Sequence, residues 1–170
     1  MENKLCQGNF FNPTKGDLSF DEMLDEIFLY IEEDPKYNYE IIVGCDSSSS
    51  EEPSFPIAIV VLKKGAGGRF FLRKVKYNKR KFYNLHERIL EEVLLSCRLA
   101  LELRDAINKR TTKMPSSLNY KFEYIHADVG ANGATKDMIK EIVGLIKGNG
   151  FEAKIKPEAY VASIVADRFS

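Results

Sequence analysis

The sequence predicts an α/β domain: a mixed five-stranded sheet, element order βββαβαβα, flanked by helices and preceded by one extra helix. Three observations predict it. A capping box opens an amphipathic segment near the front of the chain, three strand-like runs follow in close succession, and two later strand-like runs alternate with helical stretches. A meander followed by βα units gives a sheet with both antiparallel and parallel neighbours.

Residues 1–17 lack periodicity and contain Gly8, Pro13 and Gly16, so they read as an arm or loop in front of a single domain spanning 18–170. Ser19 followed by Glu22 is the capping box, and Phe20, Met23, Leu24, Ile27, Phe28 and Ile31 recur at helical spacing until Asp34-Pro35 stops the helix. Strands are predicted over 39–46, 56–63 and 69–77, with the serine run 47–50 and Gly65-Ala-Gly-Gly68 as their turns. A long helical pattern covers 83–109, and a Thr/Pro/Ser linker leads to a fourth strand from Tyr120 to Asp128. Gly130-Ala-Asn-Gly133 turns the chain into a helix over 135–147, closed by Gly148-Asn-Gly150. A short strand from Phe151 to Lys156 and a last helix after Pro157 complete the order.

At 170 residues, 44% of them hydrophobic, the chain suffices for one domain with a buried core. Lys plus Arg and Asp plus Glu both number 25, so no global charge points to a polyanionic partner. Any such signal is local. Cys6, Cys45 and Cys97 are odd in number and lack the paired spacing of a zinc or redox motif, which suits a reducing cytoplasm. Neither a membrane-spanning run nor a signal peptide is read, and no membrane partner is expected.

The chemistry lies where strands end. The segments 39–46 and 120–128 each run straight into an aspartate, Asp46 and Asp128. A carboxylate at the mouth of a buried strand is costly to desolvate unless a cation meets it, and two such ends invite a divalent metal. On the long helix Glu87, Glu91 and Glu92 are the candidates for a third carboxylate. Winding at about 100° per residue puts Glu92 on the stripe of Ile89, Ser96, Leu99 and Leu103, with Glu87 and Glu91 nearer Arg98 and Asp105.

His126 shares a strand face with Asp128, and is expected more as a hydrogen-bonded structural residue than as a ligand or proton shuttle. From Pro53 to His86 there is no acidic residue. Arg73, Lys74, Lys76, Lys79, Arg80 and Lys81 fall there among Phe70, Phe71, Tyr77, Phe82 and Tyr83, a pattern that suits phosphate tracking with base stacking and equally suits a solvated sheet face.

Gly44-Cys-Asp46-Ser47, His126-Ala-Asp128-Val-Gly130 and the stretch from Lys154 through Pro157, Tyr160 and Ser163 to Arg168 resemble the signatures of the YkuK-type ribonuclease H-like family of predicted nucleases. The element order is also similar to that of the ribonuclease H fold. The resemblance implies four acidic positions: Asp46 on the first strand, a glutamate of the long helix, Asp128 on the fourth strand and Asp167 in the last helix. It further implies Mg²⁺ or Mn²⁺ as cofactor, RNA, DNA or a hybrid as partner, and hydrolysis with two ions about 3.5–4 Å apart. Ser47, Lys154 and Lys156 are accessory candidates, the lysines as phosphate contacts. A domain that keeps the fold and binds nucleic acid without cleaving it is the alternative.

Overall fold

A computed structural model describes residues 4–114, 118–166 and Arg168. Asp167, the fourth expected carboxylate, lies outside the described residues. After a 3₁₀ turn at Leu5–Gln7 come β1 (Phe10–Asn12), β2 (Gly16–Leu18), α1 (Phe20–Glu33), β3 (Tyr39–Cys45), β4 (Ser54–Lys63) and β5 (Gly67–Lys76). Then follow α2 (Leu85–Thr111), β6 (Tyr120–His126), a 3₁₀ turn at Lys136–Met138, α3 (Ile139–Gly148), β7 (Glu152–Lys154) and a π-helical turn at Val161–Ala166. The sheet order is β2, β1, β5, β4, β3, β6, β7, with β6 parallel to both β3 and β7 and the other pairs antiparallel.

The sheet therefore has seven strands where five were expected. The two additional strands form a hairpin within the stretch read as a loop. Buried Asn12 makes it: its Oδ1 accepts from the amides of Thr14 and Lys15, both at 2.9 Å, and its Nδ2 donates to the Phe70 carbonyl at 3.0 Å. The side chain thus closes the turn and ties it to β5. Gly16, at φ 75°, supplies the left-handed conformation that the return strand needs.

The expected capping box is present, with Ser19 Oγ accepting from the Glu22 amide and the Glu22 carboxylate accepting from the Ser19 amide. Met23, Leu24, Ile27, Phe28 and Ile31 of α1, the inner stripe of α2 and Ile142 and Ile146 of α3 pack on one sheet face with Ile41, Val43, Ile57, Ile59 and Phe71. On the other face a smaller cluster joins Ile42, Ala58, Val60 and Leu72 to Val161 and Ala166 of the π-helical turn. With both faces covered, every residue of β3 is buried. No helix among the described residues is long and apolar enough to cross a membrane.

Candidate active site

Register brings the two strand-end aspartates together. Gly44 of β3 lies beside His126 of β6 in parallel pairing, and two residues further along each chain come Asp46 and Asp128. Even-numbered positions of both strands look toward the face that carries the π-helical turn, so Asp46, His126 and Asp128 share it. The Asp46 amide donates to the Pro56 carbonyl at 3.2 Å, which extends the β3–β4 ladder one residue past the strand and fixes where Asp46 starts.

Ser47 turns the opposite way, toward α2, and its Oγ donates to Glu92 Oε1 at 2.5 Å. Glu92 is 4% exposed. Its pKa is raised to about 8, chiefly by burial, with the Ser47 hydrogen bond and Arg88 lowering it and the nearby Asp46 and Asp128 adding to the rise. Carboxyl groups from β3, α2 and β6 therefore feel one another across a poorly solvated space. Burial, followed by the nearby Glu92, Asp46 and Glu91, likewise holds the Cys45 thiol well above its usual range.

The other helix glutamates are committed elsewhere. Glu87 is exposed and accepts from the Tyr83 amide at 2.9 Å at the start of α2. Glu91 is buried, against the expectation that it lies toward solvent, because Tyr77 Oη and Arg80 Nη2 reach over from the loop after β5 and donate to its two oxygens. Glu92 feels both Asp46 and Asp128.

Asp128 follows the end of β6, where the Ala127 amide donates to the Lys154 carbonyl at 2.9 Å and the Lys156 amide donates to the Val129 carbonyl at 2.8 Å. This irregular continuation delivers Lys156, whose Nζ stands 2.9 Å from Asp128 Oδ1. That buried oxygen nevertheless lacks a hydrogen-bond partner, so the contact is an ion pair at an angle unsuited to a hydrogen bond. Lys156 is thus a partner of Asp128, where the sequence suggested a phosphate contact. Lys154 packs its ammonium over the Tyr124 ring, 4.3 Å from the centroid.

His126 is a structural latch. Its Nδ1 accepts from the amides of Tyr160 at 3.1 Å and Val161 at 3.4 Å, and its ring stands edge-on to that of Tyr160. Burial, then Lys154, lowers its pKa to about 4. A neutral ring with Nδ1 engaged this way is no proton shuttle at neutral pH.

The basic strip divides. Lys63 pairs with Asp34, Arg69 with Glu26, Arg80 with Glu91 and Lys81 with Glu51. Arg73 lies so close over Gly8 that a Cβ there would meet its Nη1 at 1.4 Å. Phe71 and Phe82 are buried in the core, which removes them from base stacking. Among the described residues, Lys74, Lys76 and Lys79 form no ion pair.

The donor chemistry fits a hard divalent cation, since buried carboxyl oxygens that repel one another gain from it. Their gathering is incomplete: among the described residues no three His, Cys, Asp or Glu side chains are close enough to hold a metal ion. The geometry gives the reason, with Glu92 turned to Ser47 and Asp128 held by Lys156.

Residues 22–170 match the Ribonuclease H-like family. The chain is also 28% identical over 166 residues to the uncharacterized protein YkuK of Bacillus subtilis (strain 168), covering 95% of this chain and 96% of that protein. No solved structure matches. Fold, strand-end aspartates and these likenesses agree, and the chain belongs to the ribonuclease H-like family, in its YkuK type.

Proposed function

We propose that this protein is a metal-dependent nuclease that hydrolyses phosphodiester bonds of RNA, DNA or a hybrid. Asp46, Glu92 and Asp128, with Asp167 from the C-terminal segment, would hold Mg²⁺ or Mn²⁺. The observation that carries the reading is the mutual influence of three carboxyl groups from separate elements at one end of the sheet, with Glu92 raised to about 8. A perturbed glutamate beside two strand-end aspartates is what a cation site would require, and family membership supports the same chemistry.

The bound ions would lower the pKa of the attacking water and neutralise the leaving oxygen. The chain's own groups do the rest. Asp46, whose backbone position is fixed by the hydrogen bond from its amide to the Pro56 carbonyl, would offer a carboxylate to the ions. Ser47 holds the Glu92 carboxyl in place, and Glu92 would be ionised when holding a cation. Lys156, paired with Asp128, would stand beside the path of a phosphate.

Purified protein should cleave a labelled oligonucleotide in Mn²⁺, and Asp46→Asn or Asp128→Asn should slow cleavage by about 100-fold or more without changing the fold. Undiminished cleavage by folded Asp46→Asn would refute the assignment. The Lys156–Asp128 ion pair favours a second reading, in which the charge of Asp128 is already answered within the chain and the domain binds nucleic acid without cleaving it. That reading predicts salt-sensitive binding and no turnover in any divalent ion.

A further inference from the structure

Beside the carboxylates, on the α2 side of the rim, the serine run forms a held loop. The Ser48 amide donates to the Ser54 carbonyl at 3.2 Å, and the Ser54 amide donates to Ser48 Oγ at 3.1 Å. Arg88 of α2 leans over this loop, its Nη1 donating to the Ser48 carbonyl at 3.3 Å and standing 3.5 Å from Ser49 Oγ. One helical turn, about 6 Å of rise, separates Arg88 from Glu92, whose acidity the guanidinium strengthens. The loop is thus fastened to the acidic set at one end, through Ser47 and Glu92, and to Arg88 at the other.

Between the loop and the start of α2 lies a cleft of about 330 Å³, lined among others by Ser49, Ser50, Tyr83, Asn84 and Arg88. Tyr83 is 70% exposed, whereas its neighbour Phe82 is 3% exposed, edge-on to Phe55 and covered by Arg80. The backbone between them is held on both sides, because the Phe82 amide donates to the Glu51 carbonyl at 2.7 Å and the Tyr83 amide to the Glu87 carboxylate at 2.9 Å. The core therefore anchors one ring and presents the next to solvent. A ring left in water on a fixed backbone gains from any flat ligand that covers it. The charges of the cleft are answered unevenly: Glu51 pairs with Lys81 and Glu87 is turned to the Tyr83 amide, while Arg88 forms no ion pair among the described residues. A guanidinium beside a serine hydroxyl is a donor set for phosphate oxygen.

We propose that this cleft is a nucleotide subsite for single-stranded nucleic acid, in which Tyr83 stacks on an unpaired base and Arg88 with Ser49 holds the adjoining phosphate. It rests on the nuclease reading only insofar as the strand continues from the cleft to the carboxylates. A duplex keeps its base faces covered, whereas an unpaired base offers a π-face to an outward ring.

The test measures fluorescence anisotropy of labelled single strands of roughly ten nucleotides, RNA and DNA in separate arms, against the Asp46→Asn protein in Mn²⁺. Tyr83→Leu should weaken binding about tenfold, and Tyr83→Phe, which keeps the ring, should bind as the parent does. Arg88→Gln should weaken binding and reduce the slope of log affinity against log salt by about 0.7. Arg88→Lys, which keeps the charge, should retain that slope. An abasic nucleotide moved along the strand should weaken binding to the parent at one position and leave binding to Tyr83→Leu unchanged there, a coupling that a merely structural ring would not show. A blunt duplex should bind the parent and Tyr83→Leu alike. Circular dichroism confirms folding, and Lys109→Gln at the far end of α2 serves as the neutral control. Unchanged affinity and salt slope in folded Tyr83→Leu and Arg88→Gln overturn the subsite, and leave the nuclease standing if the wild type cleaves. Loss of binding in these variants without cleavage by the wild type in Mn²⁺ supports the subsite and removes the nuclease. A duplex weakened as much as the single strand by Tyr83→Leu, or no binding of any single strand, overturns the subsite.

Discussion

The ammonium of Lys156 stands 2.9 Å from Oδ1 of Asp128, and the lysine stem reaches it by passing over Gly130, where a Cβ would come within 3.0 Å of Lys156 Cβ. Two cations cannot share that oxygen at full strength. Lys156→Met should therefore tighten Mn²⁺ binding, measured by isothermal titration calorimetry, by about threefold to fivefold, the scale of a half-exposed ion pair. Weaker binding in this variant would contradict the competition.

Glu92 makes stability depend on pH in an unusual direction. Its folded pKa of about 8 lies above the ordinary 4.5, so the folded state keeps a proton that the unfolded chain releases. This contribution is complete below about pH 4.5 and is lost as pH rises through 8. In chelator, the melting temperature should fall between pH 6.5 and 8, and Glu92→Gln should flatten that decline. A wild-type profile that is level over this range would count against it.

His126 acts with the opposite sign. Its folded pKa of about 4 lies below the ordinary 6.5, so its stabilisation is present above pH 6.5 and is lost as pH falls through 4. His126→Phe should remove this acid sensitivity and leave the Tyr160 and Val161 amides without their acceptor, at a cost of about 1–3 kcal/mol. Hydrogen exchange over 158–166 should quicken at neutral pH while α2 stays protected.

The buried pair on α2 separates structural from chemical carboxylates. Tyr77→Phe leaves one oxygen of Glu91 without its phenol, which should lower stability by about 1–3 kcal/mol in denaturant titrations. Cleavage per folded molecule should be unchanged. A large loss of cleavage would mean that Glu91 belongs to the acidic set.

Where local chemistry decides structure, the sequence was readable. Ser19 and Glu22 cap each other within one turn, and the long apolar runs before Asp46 and Asp128 have few homes other than adjacent central strands. What escaped depended on partners remote in sequence. The strands Phe10–Asn12 and Gly16–Leu18 are too short to announce themselves, and they exist because Asn12 grips the Phe70 carbonyl. Helical winding correctly turned Glu92 inward, but it could not reveal that Tyr77 and Arg80 arch over Glu91. Lys156 read as a phosphate contact because nothing local shows the chain crossing Gly130 to meet Asp128.

The hairpin has one more effect. By pairing with β5 at Leu72 and, through Asn12, at the Phe70 carbonyl, it occupies the middle of what would otherwise be the open margin of a ten-residue strand, and its own outer strand is three residues long and includes Asp17. Short charged margins discourage strand-to-strand recruitment between molecules. Trimming the chain back to Ser19 should therefore yield protein that self-associates into β-rich aggregates, visible as a rise in thioflavin fluorescence and light scattering.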